Sequence, residues 1–339
     1  MADFPSDTPS GVASAPPAGP AGRAIAGATA TTIACVLPVF LVGGLAVQLG
    51  AELRFSPAGL GLAVAVYFGV SAFASVPSGA LVERYGPARV ARAGILLAAA
   101  AMLAVAVLAH SYAALVGLLA ASAAANALGQ LASNTALARG VPSGRQGLSF
   151  GIKQAAIPAA TLLAGAAVPT VALTAGWRWA FVLAAGLALA ALPLVPPAGT
   201  PAARATRQRN RRGTGPLLVL GAAATLAAGG ANALGTFVVD SAAARGLSPA
   251  LAGLVLTFGG TVCVLGRVLV GWLADRRATG HVGIIAGMLA VGATGVSLLT
   301  LAGPVPLVVG VPLGFGIGWA WPGLLNFAVV RLHPQAPAA

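Results

Sequence analysis

Residues 77–92 read PSGALVERYGPARVAR. The stretch is unusual in this chain because Glu83 and three arginines fall within ten positions, beside the pair Gly86–Pro87. Glycine next to proline marks a turn, and the residues on both sides are strongly apolar. The stretch therefore predicts a short charged turn between two apolar helices, and we call it the first hinge.

The composition predicts a polytopic membrane protein. Of the 339 residues, 58% are hydrophobic and 7% are charged, and the mean hydropathy is +0.92. A soluble domain has about a quarter of its residues charged, so this chain cannot cover a surface that faces water. The 46 glycines suit close packing of helices in lipid. The net charge of +13 does not indicate nucleic-acid binding, because the arginines lie in short loops between apolar runs.

Ten apolar runs are long enough to cross a bilayer as helices. The sequence therefore predicts an all-α fold with ten membrane spans, at residues 24–49, 57–82, 91–109, 112–138, 149–174, 178–196, 216–240, 249–274, 281–302 and 305–330.

The positions of the basic residues predict the orientation, because cytoplasmic loops carry the excess of arginine and lysine. With the N-terminus in the cytoplasm, the outer loops hold only Arg54, Arg178 and Arg245. The inner side then holds all the other basic residues near helix ends: Arg23, Arg84, Arg89, Arg92, Arg139, Arg145, Lys153, Arg204, Arg207, Arg209, Arg211, Arg212, Arg276, Arg277 and Arg331. We expect a multi-pass protein of the cell membrane.

Four segments follow from this map. Residues 1–22 are rich in Pro, Ala, Ser and Gly and lack a basic leader, which predicts a disordered cytoplasmic tail. Residues 23–196 form a bundle of six helices, and residues 216–339 form a bundle of four. The basic linker 197–215 joins them. A solvated linker beside anionic lipid explains its charge, and a nucleic-acid or partner site is an alternative that nothing else supports.

The chain repeats itself at an offset of 192 residues. SPAGLGL from Ser56 aligns with SPALAGL from Ser248, and Glu83 aligns with Asp275. Further pairs are Gly79 with Gly271, Arg84 with Arg276, Asn134 with Asn326, and Arg139 with Arg331. Two copies in the same orientation are the parallel repeat of one large class of transporters. The second charged turn, at residues 271–277, is called the second hinge.

GALVERYGPAR resembles the loop between helices 2 and 3 of the major facilitator superfamily, whose pattern is a glycine, three residues, an acid, a base, one residue, a glycine and further bases. GWRWAF at residues 176–181 is similar to the turn before helix 6 in that family. The resemblance implies two pseudo-symmetric helical bundles and a bacterial transporter that moves a solute by alternating access. The family has twelve helices, so we expect that the last two are missing here.

The resemblance implies that the hinges hold one conformation, the outward-facing one, and release it. The residues that match are Gly79, Glu83, Arg84, Gly86 and Arg89, with Gly271, Asp275 and Arg276 as the weaker second copy. An ion pair at the membrane edge is partly desolvated and therefore stronger than in bulk water. The alternative is that the hinges only anchor the topology.

Polar side chains within the apolar runs predict a solute pathway. Asn126, Gln130 and Asn134 follow each other at intervals of four residues, so they form one stripe on the fourth helix. Three more amides lie on the first, seventh and tenth helices: Gln48, Asn232 and Asn326. In the resembled family, helices 1, 4, 7 and 10 line the central cavity. Interhelical hydrogen bonding is the alternative for each amide.

Two basic side chains are embedded in apolar runs. Lys153, the only lysine, begins the fifth helix and either reaches back to the membrane surface or contacts an anion beside Gln154. Arg267 in the eighth helix is expected to pair with Asp275 or with lipid headgroups. Because no carboxylate lies at the centre of a span, the sequence favours an anionic or neutral solute over a cation.

Enzyme, metal and cofactor motifs are absent from the sequence: it has no HExxH, no CxxC and no phosphate-binding glycine loop. We therefore expect neither catalysis nor a cofactor. Cys35 and Cys263 lie within apolar runs, as core thiols do. The function predicted is secondary transport of a small solute. The alternative is a transport-inactive remnant that serves as a membrane scaffold or partner subunit.

Overall fold

The computed structural model describes residues 19–197, 214–277 and 279–332. Across these ranges the chain is helical and contains no strand, and ten helices are long and apolar enough to cross a membrane. The predicted all-α fold with ten spans is confirmed. Most of the predicted tail and of the basic linker, including its arginine cluster, lies outside the described residues.

We number the spans α1 to α10. Their bounds are Pro20–Gly44 (α1), Pro57–Tyr85 (α2), Pro87–Leu108 (α3), Tyr112–Gly140 (α4), Gln146–Ala167 (α5), Trp177–Ala190 (α6), Thr214–Ala244 (α7), Pro249–Asp275 (α8) and His281–Leu298 (α9). A short helix, Ala46–Leu53, follows α1, and the π-helical turn Val168–Ala172 continues α5. The tenth span, α10, consists of Pro304–Val311, the π-helical stretch Pro312–Gly318 and Pro322–Leu332. The end of the bundle with the turns after α2, α4 and α8 is called the hinge end, and the other end the far end.

The internal repeat is visible in how α2 and α8 begin. Ser56 accepts a hydrogen bond from the backbone N–H of Gly59 at 3.3 Å, and Ser248 accepts one from Leu251 at 3.4 Å. In both helices a proline follows the serine, at a position where its missing N–H costs nothing. Two positions 192 residues apart in the sequence thus start equivalent helices in the same way.

Small residues bring the first six helices against the last four, and α5 and α8 make the most extensive contact between helices. A Cβ atom added at Gly165 would lie 2.6 Å from the carbonyl oxygen of Gly253, and one at Gly271 would lie 2.9 Å from that of Gly147. Such approaches are possible only without side chains, which is how membrane helices pack closely. The contact runs from the hinge end to the far end of α5.

Large apolar side chains point outward over much of the bundle. Phe73 is 83% exposed and Leu226 is 80% exposed. On a soluble protein such side chains would form an interaction surface, but on a bundle of ten membrane spans they face the lipid. Cys35 and Cys263 are both buried and free.

At the far end, Glu52 connects the short helix after α1 to the start of α6. Its carboxylate accepts a hydrogen bond from Trp177 Nε1 at 2.6 Å and from Arg178 Nη1 at 2.5 Å, and Arg178 also donates to the carbonyl of Ala109 at 3.2 Å. The hydrogen bond from Arg178, followed by that from Trp177, lowers the pKa of Glu52. The GWRW turn therefore closes the far end of this bundle through one acid.

Candidate functional site

Lys153 and Gln130 connect α5 to α4 inside the bundle. Lys153 is fully buried, and its ammonium donates a hydrogen bond to Gln130 Oε1. At a rise of 1.5 Å per residue, Lys153 lies about 10 Å along α5 from its first residue. The structure therefore brings together two of the residues that the sequence singled out, and both face the interior.

Arg267 lies at a similar depth on α8 and is 1% exposed. Its Nη1 donates to the carbonyl of Gln154, and its Nε donates to the carbonyl of Trp319 at 3.0 Å. Its guanidinium carbon is 5.4 Å from the centroid of the Trp319 ring, within the range of a cation–π contact. The expected pairing of Arg267 with Asp275 is wrong, because α8 directs the two side chains to different neighbours.

The electrostatics of this region are positive. Lys153 on α5 and Arg267 on α8 are both buried basic side chains, and the two helices pack against each other. The ion pair between Glu52 and Arg178 is the only one within the described ranges, so neither buried cation has a carboxylate partner there. Burying charge in a membrane is expensive and usually marks a functional site. Gln154 Oε1 and Arg267 Nη2 are also buried without a hydrogen-bond partner among the described residues.

The other two amides of the α4 stripe behave differently from Gln130. Asn126 is buried and donates to Ser71 Oγ on α2 at 2.9 Å, which is a contact between helices. Asn134 is partly buried, and its Oδ1 has no partner in the described part of the chain. The stripe therefore contains one contact between helices and one acceptor for lysine, and the Oδ1 atoms of Asn126 and Asn134 are both buried without a partner among the described residues.

The lone amides lie on three separate elements. Gln48 is on the short helix after α1, partly buried, with Oε1 unpartnered among the residues described. Asn232 on α7 donates to the carbonyl of Ala228 in its own helix at 2.7 Å. Asn326 on α10 is partly buried. The described structure does not bring these three amides into hydrogen-bond contact with Lys153 or Arg267.

The second hinge joins the two halves of the chain at the hinge end. The carboxylate of Asp275 accepts hydrogen bonds from the backbone N–H groups of Gly147 and Leu148, both at 2.9 Å. These N–H groups begin α5, where a helix has unpaired donors and a positive dipole end. Close by, Gly271 packs against Gly151. Arg276 lies over the ring of Trp272, at 3.4 Å from its centroid.

The first hinge has no such contact within the described ranges. Glu83, Arg84 and Arg89 are exposed, and a Cβ atom added at Gly79 would meet nothing within 4 Å. Arg84 lies over the ring of Tyr85. Gly86 has a φ of +82° between α2 and α3, a backbone conformation that favours glycine. The two hinges therefore share a sequence pattern but differ in their surroundings.

Sequence reasoning missed the contact of Arg267 with two backbone carbonyls. The signal that could have indicated it is Pro158, because a proline leaves the carbonyl four residues earlier, here that of Gln154, without its helical donor. The role of Ser71 as the acceptor for Asn126 had no comparable signal.

A cavity of about 290 Å³ lies at the far end, between the end of α7 and the start of α2. Asp240 is its only charged lining residue. No group of three or more potential metal ligands occurs among the described residues.

The sequence profile of the Major Facilitator Superfamily matches residues 22–339. No curated protein matches the chain.

Proposed function

We propose, because the chain belongs to the Major Facilitator Superfamily, that it carries a small anionic solute across the cell membrane by alternating access. The family and the ten apolar helices identify a multi-pass membrane transporter of small solutes. Transport rather than catalysis fits this family, and the match does not favour a transport-inactive scaffold. We propose three further points: the solute is an anion, it binds at Lys153 and Arg267, and it is carried by alternating access.

The observation that carries the proposal is the pair of buried cations. Lys153 and Arg267 lie on helices of different halves and have no carboxylate contact in the described structure. In a medium of low dielectric constant, two like charges of this kind are strongly unfavourable unless an anion offsets them. A carboxylate or another oxyanion of the solute would supply that charge. Gln130 holds the lysine in place, and the free acceptors of Gln154 and Asn134 suit hydroxyl or amine groups of the same solute.

The two halves would move as bodies about this site. In this proposal the first body is residues 23–196 and the second is residues 216–339, and the N-terminus and the hinge end face the cytoplasm, in agreement with the excess of arginines there. The contacts of Asp275 and Gly271 with the start of α5 close the hinge end, and their release opens it. The far-end cavity beside Asp240 would be part of the outer entrance.

The remaining predicted pathway residues have smaller parts in this proposal. Gln48, Asn232 and Asn326 would line the path above and below the cations. The hydrogen bond from Asn126 to Ser71 suits a contact that stabilises the bundle. The first hinge, with Glu83, Arg84 and Arg89 exposed, would act on a surface outside the contacts seen here.

Uptake into liposomes tests the proposal. The purified protein is reconstituted and offered radiolabelled acetate, nitrate, phosphate, glucose and choline in parallel. We expect uptake of at least one of the anions above that of protein-free liposomes, and its loss in Lys153→Gln, which removes the charge. Arg245→Gln, a change of the same charge at the far end, is the matched control and should retain uptake. Uptake of choline or glucose that Lys153→Gln leaves unchanged would contradict an anion site at the cation pair.

Thermal stability in detergent gives a second measurement. An anion that binds the folded protein raises the melting temperature by mass action, with about 2.7 kcal/mol gained at a concentration 100 times the dissociation constant. The same anion should have no effect on Lys153→Gln.

A further inference from the structure

The hydrogen bond between Arg267 and Gln154 crosses the boundary between the two halves. Pro158 lies four residues after Gln154 in α5 and has no N–H, so the helix cannot satisfy the Gln154 carbonyl. The guanidinium of Arg267, on α8, donates to this carbonyl instead. The proline thus creates an acceptor on the first half for a cation of the second.

Arg267 is fixed on its own side by Trp319. Residues 319–321 lie between the π-helical stretch of α10 and its last helical segment, which begins at Pro322. The Trp319 carbonyl is therefore outside the regular helix, and it accepts a hydrogen bond from Arg267 Nε at 3.0 Å. The indole ring of the same residue contacts the guanidinium. Arg267 would consequently stay with α8 and α10 if the two halves separated.

One edge of the guanidinium is unused. Nη2 is buried and has no partner among the described residues, whereas Nη1 contacts the Gln154 carbonyl. A carboxylate can accept from Nη1 and Nη2 together, and such a charge-assisted pair is stronger than a bond to a neutral carbonyl. A carboxylate of the solute would therefore bind Arg267 more strongly than the Gln154 carbonyl does.

We propose that the Gln154 carbonyl and the anionic solute compete for Arg267, so that solute binding releases α5 from α8 and couples transport to the separation of the halves. Pro158 is a positioning residue in this exchange, because it exposes the carbonyl that stands in for the solute oxygen. The inference rests on the proposed anion transport. It identifies the Gln154 carbonyl as the group that the solute displaces, which the charge of the site alone does not specify.

Removing the proline tests the exchange without any solute. In Pro158→Ala, the N–H of the alanine satisfies the Gln154 carbonyl within α5, and Arg267 loses this acceptor. The distance between α5 and α8 at the hinge end is measured by pulsed electron resonance between spin labels on Arg145→Cys and Arg277→Cys, in a background without Cys35 and Cys263. We expect the population with the longer distance to increase several-fold. Pro77→Ala is the matched control, since the carbonyl freed by Pro77 in α2 receives no side-chain hydrogen bond in the described structure, and it should not change the distances.

A second variant guards against a general disturbance of α5. Arg267→Lys keeps the charge but cannot bridge the two carbonyls, so it should lengthen the distance as Pro158→Ala does. If both changes act on one bond, the double variant shows no further increase, whereas independent effects add. Unchanged distances in Pro158→Ala, or additive effects in the double variant, would overturn the exchange.

The two proposals fail in different ways. In one outcome, the wild-type protein takes up none of acetate, nitrate and phosphate, but both variants show the expected longer distances. The bond between Arg267 and Gln154 would then link the halves, and its displacement by an anionic solute would be wrong. A protein that takes up acetate, with a longer hinge-end distance when acetate is added, supports the exchange. Acetate uptake with the same wild-type distances in its presence and absence contradicts it.

Discussion

The carboxylate of Asp275 accepts a hydrogen bond from the backbone N–H of Gly147 at 2.9 Å, although 128 residues separate them in the chain. Asp275 is the last residue of α8, and Gly147 lies in the first turn of α5. A second bond to Leu148 makes the contact bidentate, so one acid of the last four helices caps a helix of the first six.

Asp275→Asn should weaken this contact. An amide has no charge to interact with the helix dipole and presents an N–H₂ group to one of the two backbone donors, which corresponds to a loss of about 1–2 kcal/mol. We expect a lower melting temperature in detergent and a longer hinge-end distance between labels on α5 and α8. Glu83→Gln, at the repeat-related position, is the control and should change neither, because Glu83 is exposed and has no contact in the described structure. Equal effects of the two variants would show that the hinges do not differ.

Gly271→Ala should destabilise the closed hinge end. The added Cβ would lie 2.9 Å from the carbonyl oxygen of Gly147 and 3.0 Å from the Cα of Gly151, and overpacking of this kind costs about 1–3 kcal/mol. Gly79→Ala is the matched variant in the first hinge, where the methyl meets open space. Thermal denaturation compares the melting temperatures of the two variants, and we expect that of Gly271→Ala to be lower. Equal melting temperatures would show that α5 and α8 are not in close contact.

Gln130→Ala should leave the buried ammonium of Lys153 without its acceptor. An unsatisfied buried group of this type costs about 1–3 kcal/mol or more, so we expect a clear fall in the melting temperature. Asn134→Ala, one helical turn away, removes an amide whose Oδ1 has no described partner and should cost less. Gln130→Glu would supply a carboxylate to Lys153, so it should raise stability and reduce anion uptake. A melting temperature of Gln130→Ala equal to that of Asn134→Ala would argue against the bond.

Acid should weaken the far-end contact of Glu52. Because Arg178 and Trp177 lower the pKa of Glu52 in the folded protein, its contribution to stability is complete above the unfolded pKa of about 4.3. The contribution disappears as the pH falls through the lower folded value. The pair is partly exposed, so the effect should be under about 1 kcal/mol and smaller at high salt.

The measurement compares wild type with Glu52→Gln. Melting temperatures recorded from about pH 6 down to about pH 3 should converge at the acid end. A difference that is constant over this range would mean that the charge of Glu52 contributes nothing.

The orientation can be tested with reporter fusions. The distribution of arginines predicts that fusions after Gly199 and after Gly280 lie in the cytoplasm and that one after Leu247 lies outside. An external signal at Gly199 would contradict the predicted orientation of all the helices that precede it.

Much of the fold could be predicted from the sequence because its signals are local. The length of each apolar run indicates a span, the serine–proline pairs at Ser56 and Ser248 indicate where α2 and α8 begin, and Gly86 indicates the turn between α2 and α3. Each of these features depends on neighbours within a few residues. Because the sequence repeats at an offset of 192 residues, a helix start or turn predicted in one half is also predicted in the other. The hinge pattern indicated the family.

Only the tertiary structure decided which polar groups meet. The sequence presents Glu83 and Asp275 as equivalents, but only Asp275 lies opposite a helix N-terminus in the described structure. It suggested Asp275 as the partner of Arg267, whereas the neighbour is the Gln154 carbonyl, 113 residues away. Lys153 can donate a hydrogen bond to Gln130 only because the helix faces that carry these two residues, on α5 and α4, lie next to each other. The physical reason is that a membrane helix satisfies its own backbone, so its local sequence determines that it forms, while the partners of its side chains depend on which helix the bundle places beside it.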